Sequence, residues 1–303
     1  MTDETNGTAR DQRPSSASAA HGAPTTAGTV ILPGATLPYA LEGEGRPGLI
    51  IGLQNINRRA FSPRFSQRLR WALVETRTGV PTAHPPSGRG YGLDVAVEDV
   101  EAVRSQLGWD RVVIVGHSVF ALIALEFARA FPQHVAGVVF IGMSPTWVTP
   151  QETAQYWEAH ASPARRAAHA RWQRLLEGPQ PDDPRERLVL GMRASTARRW
   201  ADHDFDEAPL WDGVDANLPL VVALFADVAG YRLWDRPPLE VPVLVAAGRH
   251  DYGFPATLWD ERARSALPRL TYHLFETAGH TPQLEVADEF DAAFEAWLAT
   301  LDG

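Results

Sequence analysis

The stretch from Arg111 to Arg129 constrains this chain most. Val112, Val113, Ile114 and Val115 form a short β-branched run; Gly116-His117-Ser118-Val119-Phe120 follows, and Ala121 to Arg129 is made of good helix formers. A continuous apolar run reads as a strand buried on both faces, as in a parallel sheet. A glycine-started turn at the end of such a strand is where α/β proteins place their chemistry. A serine there is forced onto a tight bend. Its Oγ stands clear of the sheet, and the N–H groups of the next helix point at whatever binds. Ser118 is therefore a candidate nucleophile; the alternative is a serine that caps an ordinary helix. The turn fits the nucleophile-elbow pattern G-x-S-x-G except at its last position, where Phe120 stands in place of glycine. A phenylalanine there needs room, or it points into the substrate cavity.

The strand–helix alternation recurs on both sides of this unit. Two short strands are predicted between Thr29 and Leu41, around the Pro33-Gly34 turn, then strands at Leu49–Ile51, Trp71–Val74 and Val135–Ile141. A short helix is predicted from Ser62 to Arg70. Another spans Asp94–Leu107, where Leu93, Val97, Val100, Val103 and Leu107 share a face. After Val241 come a strand at Val243–Ala246, a helix around Leu258–Leu267, a strand at Leu270–Phe275 and a closing helix at Asp288–Leu298. This pattern predicts a doubly wound, mostly parallel sheet. Residues 147–236 break the pattern with helical, aromatic-rich segments. They read as a helical cap inserted between two core parts, residues 27–146 and 237–303. Residues 1–26, rich in Thr, Ser, Ala and Gly without periodicity, read as a disordered tail.

Composition removes several chemistries. The chain has no cysteine, and all 28 basic residues are arginine. That excludes a thiol nucleophile, a disulfide framework, Schiff-base and pyridoxal chemistry, and a Walker A loop. The histidines show no metal-binding spacing, so neither metal nor cofactor is expected. A net charge of -9 without a basic stripe argues against a nucleic-acid partner. No apolar run approaches the roughly 18 residues of a membrane span, and the N-terminus lacks the apolar region of a secretory signal. The expectation is a cytoplasmic protein acting on a small molecule.

Three residue types then stand at the ends of three predicted strands, in the order Ser118, Asp251, His280. A serine hydroxyl needs an imidazole to take its proton, and the imidazole needs a carboxylate to hold its tautomer. Asp251 alternatively caps the following helix, and His280 is alternatively a loop histidine. The end of the strand at Ile141, another place for the acid, carries no carboxylate, which favours Asp251.

With these residues the chain resembles an α/β-hydrolase, and the proline iminopeptidase-like branch in particular. The resemblance rests on Gly116-His117-Ser118, Leu125-Glu126-Phe127-Ala128, Gly248-Arg249-His250-Asp251 and Gly279-His280-Thr281-Pro282-Gln283-Leu284-Glu285, with Phe205-Asp206 and Pro209-Leu210-Trp211 in the cap. It covers about residues 30–300 and implies an α/β-hydrolase fold. It also implies an oxyanion hole made by the N–H groups of Leu53 and Val119. Gln54, His117, Phe120 and Trp147 are the candidate pocket residues. The family's His-Gly pair reads Ile51-Gly52 here, and its Asp-x-Arg-Gly reads Glu75-Thr76-Arg77-Thr78. The acidic amine-binding residues of true proline iminopeptidases have no clear match. Asp202, Asp204, Asp206 and Glu207 could hold a substrate amine, and a solvated acidic loop is the simpler reading. The expected activity is a cofactor-independent serine hydrolase acting on an ester or lactone. A prolyl aminopeptidase, a carbon–carbon bond hydrolase and a non-catalytic ligand-binding protein are the alternatives.

Overall fold

The computed structural model describes residues 26–301. The predicted disordered tail lies outside the described residues except for Thr26, which opens the first strand. Among the described residues, eight strands form one sheet: β1 (Thr26–Leu32), β2 (Ala35–Glu42), β3 (Pro47–Gly52), β4 (Arg70–Glu75), β5 (Val112–His117), β6 (Val135–Ile141), β7 (Val243–Gly248) and β8 (Leu270–Phe275). Their spatial order is β1-β2-β4-β3-β5-β6-β7-β8. β2 runs antiparallel to both of its neighbours, and every later pairing is parallel.

Among the described residues, twelve α-helices accompany the sheet. The first four are α1 (Gln54–Ala60), α2 (Pro63–Ser66), α3 (Leu93–Gln106) and α4 (Val119–Ala130). Between β6 and β7 come α5 (Pro150–His160), α6 (Pro163–Gln173), α7 (Pro184–Ala194), α8 (Thr196–Arg199) and α9 (Leu218–Val228). The last three are α10 (Glu261–Ser265), α11 (Pro282–Glu285) and α12 (Ala287–Ala299). An isolated antiparallel bridge joins Thr146 and Arg232, at the two feet of the α5–α9 excursion.

The central strands of the sheet are buried on both faces because they alternate between two cores. In β5, Val112 and Ile114 pack with residues of α3 and α4, while Val113 and Val115 pack with Phe290, Phe294 and Trp297 of α12. Two predicted helices are shorter than expected. The one predicted from Ser62 to Arg70 ends at Ser66, because Arg70 already donates its N–H to Arg46 O at 2.8 Å and starts β4. The one around Leu258–Leu267 shrinks to α10, because Asp260 caps a new start by accepting from Ala263 N at 2.9 Å. No helix among the described residues is long and apolar enough to cross a membrane.

Candidate active site

Ser118 sits between β5 and α4 with φ 58° and ψ -136°. Among the described residues it is the one non-glycine residue at positive φ, and such strain persists only where the surroundings impose it. The surroundings are visible: the Ser118 N–H donates to Ile141 O at 2.9 Å, and its carbonyl accepts from Ala121 N at 2.9 Å. Gly116 permits the tight turn, since a Cβ there would collide with the Phe120 backbone. Val119 begins α4, so its N–H has no acceptor within the helix.

His280 and Asp251 arrive from the ends of β8 and β7. His280 Nδ1 and Asp251 Oδ2 are 2.7 Å apart, and the two residues are 3% and 2% exposed. Asp251 Oδ1 accepts from Gly253 N and Phe254 N, both at 2.9 Å. A carboxylate only accepts, so Nδ1 carries the proton of this bond, and in the neutral imidazole the lone pair is on Nε2. The Phe254 ring stacks on the imidazole at 5.5 Å between centroids. Glu285 holds the loop that carries His280. Its carboxylate accepts from Gly279 N at 3.0 Å, Thr281 N at 2.9 Å and Ala201 N at 2.7 Å. Burial nonetheless holds this carboxyl above its usual range.

Ser118, His280, Leu53, Val119, His117, Phe120 and Trp147 line one cavity of about 370 Å³. Most of its wall is apolar, with Trp200, Trp211, Leu188, Val221, Leu224 and Phe225 from the α5–α9 excursion. Gln54 is not in the lining. Its side-chain amide donates to Pro38 O at 2.6 Å, and its backbone N–H to Glu75 Oε2 at 3.0 Å, so it serves the fold instead of the pocket. Burial pushes the Glu75 carboxyl up to about 7. His117 does more than vary at the elbow: its Nε2 donates to His280 O at 2.8 Å. Burial first, then His280 and Arg199, hold its pKa well below the ordinary histidine value.

The acidic stretch of the excursion is not uniformly solvated. Glu207 is 1% exposed. Its carboxylate accepts from Arg199 Nη1 at 2.8 and 2.9 Å, from Trp200 Nε1 at 3.1 Å and from Trp211 Nε1 at 3.1 Å. Asp202, Asp204 and Asp206 stay near the surface. The sequence offered no way to single out Glu207 or its partner Arg199, both of which line the cavity. Asn57 was missed as well; it also lines the cavity and is 5% exposed.

Known proteins share this fold. Residues 77–287 match the family described as alpha/beta hydrolase fold. The chain is 31% identical over 273 residues to the AB hydrolase superfamily protein YclE of Bacillus subtilis (strain 168), an alignment that covers 88% of this chain and 96% of YclE. Its fold is similar to that of a thermophilic esterase from Thermogutta terrifontis (TM-score 0.66, 19% identity, 92% of this chain and 99% of the esterase). It is also similar to proline iminopeptidase of Mycobacterium smegmatis (TM-score 0.65, 19% identity, 91% of this chain and 99% of that one). The eight-stranded sheet, the strained Ser118 at the end of β5 and the match over most of the length place this chain in the alpha/beta hydrolase fold family.

Proposed function

We propose that the protein is a cofactor-independent serine hydrolase acting on a small, largely apolar ester or lactone. The observation that carries this reading is the buried His280–Asp251 bond of 2.7 Å at the wall of the cavity that Ser118 also lines. Ser118 Oγ attacks the carbonyl carbon while His280 Nε2 takes the hydroxyl proton, and the carbonyl electron pair moves onto oxygen. The N–H groups of Leu53 and Val119 stabilise that oxyanion. Collapse expels the alcohol, which receives the proton from His280, and leaves an acyl-Ser118. Water, deprotonated by His280, attacks the acyl carbon and releases the acid, restoring the serine. Asp251 keeps the imidazole in one tautomer and stabilises its charged form.

An ester or lactone is favoured over an N-terminal peptide by Glu207. It is the buried cap carboxylate on the cavity, and Arg199 already neutralises it. A substrate ammonium would have to displace that guanidinium.

The test is a fluorophosphonate probe together with turnover of aryl esters, lactones and a prolyl arylamide, on wild type and Ser118→Ala. Labelling at Ser118 and ester hydrolysis, with turnover lowered about 10,000-fold or more in Ser118→Ala, is the expected result. A tenth of wild-type turnover in Ser118→Ala would remove the serine as nucleophile. Prolyl arylamide turned over faster than every ester would move the assignment to an aminopeptidase.

A further inference from the structure

Asn57 lies in α1, one turn beyond Leu53, and its backbone N–H donates to Leu53 O at 3.0 Å. Its Nδ2 is buried without a hydrogen-bond partner. A buried amide left unpaired destabilises a fold, so its presence calls for an explanation. Several other described side chains hold an unpartnered buried polar atom, but of these Asn57 is the one that lines the cavity.

The location is specific. A helical side chain leans toward the N-terminus of its helix. That lean carries the carboxamide back over Gly52 and Leu53, so that Nδ2 lies 3.3 Å from where a Cβ on Gly52 would stand. Leu53 and Val119, the backbone donors of the reading above, border the same cavity as Asn57. The terminal torsion of an asparagine is broad and two-fold, so a turn of the amide exchanges its oxygen and nitrogen without moving the helix.

We propose that the Asn57 carboxamide is a third oxyanion donor, a catalytic residue beside the N–H groups of Leu53 and Val119. The inference rests on the serine-hydrolase reading. As Ser118 Oγ bonds to the carbonyl carbon and its proton passes to His280, the carbonyl pair becomes a full charge on oxygen. The Asn57 N–H donates to that charge. When the pair returns and the alcohol leaves with the proton from His280, the amide is again unpaired. Such a donor acts on the transition state more than on the ground state, which is why its loss appears in kcat.

The experiment compares Asn57→Leu and Asn57→Ala with wild type in ester kinetics, thermal unfolding and binding of an alkylboronic acid, which forms a tetrahedral adduct with an active serine. We expect kcat to fall about 100- to 1,000-fold with little change in KM, and boronate affinity to fall with it. Asn57→Leu should melt no lower than wild type, since leucine fills the place without an unpaired amide. A kcat for Asn57→Leu within about twofold of wild type overturns the proposal. So does a loss carried by KM alone, which would make Asn57 a distal substrate contact, or a lowered melting temperature in both variants, which would assign the amide to the fold. Wild type that neither labels with a fluorophosphonate nor hydrolyses esters removes the serine-hydrolase reading and this proposal with it. A labelled, active wild type with an unaffected Asn57→Leu removes this proposal alone.

Discussion

The ring of Phe120 lies against Gly52: a Cβ on Gly52 would stand 2.9 Å from Phe120 Cδ2. Gly52 has φ 133°, which an L side chain rarely adopts. The residue that breaks the elbow pattern is therefore accommodated by a glycine at the end of the neighbouring strand β3. The ring forms part of the cavity wall and also packs against the core.

That double placement sets the first prediction. Phe120→Gly should raise turnover of bulky or long-chain esters relative to acetates by about 10-fold or more, as a pocket opens. Because the ring is only half-buried, the stability loss should fall below the ~3–5 kcal/mol of a core phenylalanine truncation. An acyl chain-length series and a melting curve check both. An unchanged series with a loss of core size would assign the ring to the core.

Glu75 predicts a pH dependence of stability. Burial raises its carboxyl from 4.5 to about 7, so the folded chain holds this proton more tightly than the unfolded chain. Stability from this group is full below the unfolded value and declines as pH rises to about 7, by about 3 kcal/mol in total. Glu75→Gln removes that slope. The unfolding free energy of the variant minus wild type should therefore grow in the variant's favour between about pH 4.5 and 7 and then level off. A difference that stays constant across the range would contradict the role given to burial.

Glu285 predicts a positioning effect. Its carboxylate is the common acceptor for Gly279 N, Thr281 N and Ala201 N, two of which flank His280. Glu285→Ala leaves three donors without it and frees the histidine loop. A misplacement of the base on the 1 Å scale costs about 100-fold in rate, so kcat should fall by about that factor. Glu285→Gln, which keeps an acceptor oxygen, should recover part of it. Steady-state kinetics of both variants decide, and an unchanged kcat in Glu285→Ala would show that the loop is held by other contacts.

The Arg199–Glu207 pair predicts a coupling energy. Arg199→Met leaves Glu207 buried with only two indole donors, and breaking a buried pair from one side costs about 3–5 kcal/mol. Arg199→Met combined with Glu207→Leu should cost clearly less than the sum of the two single changes. Urea unfolding of the three variants measures the difference. Strict additivity would mean that the pair contributes little to the excursion.

Much of the fold was legible because its signals are local. The run Val112–Val115 needs a buried parallel strand, Gly116 permits the bend, and strand ends on one sheet edge bring Ser118, Asp251 and His280 toward each other. The acid and histidine motifs follow β7 and β8 where the alternation of strands and helices put them. The helical excursion was legible from the loss of that alternation after Ile141. Helix lengths were less so, because Arg70 and Asp260 obey tertiary and capping contacts that periodicity does not register.

The sequence by itself thus determined the sheet, the elbow and the chain order of the three central residues, since apolar period and turn chemistry are written in neighbouring positions. Only the tertiary structure decided what surrounds them. Gln54 looked like a pocket residue and instead serves Pro38, while Glu207 looked solvated and is buried under Arg199 and two indoles. Asn57 carries no local signal at all. Whether a polar side chain meets water, a partner or an empty cavity depends on residues far away in the chain, and burial sets the energetic consequence of each.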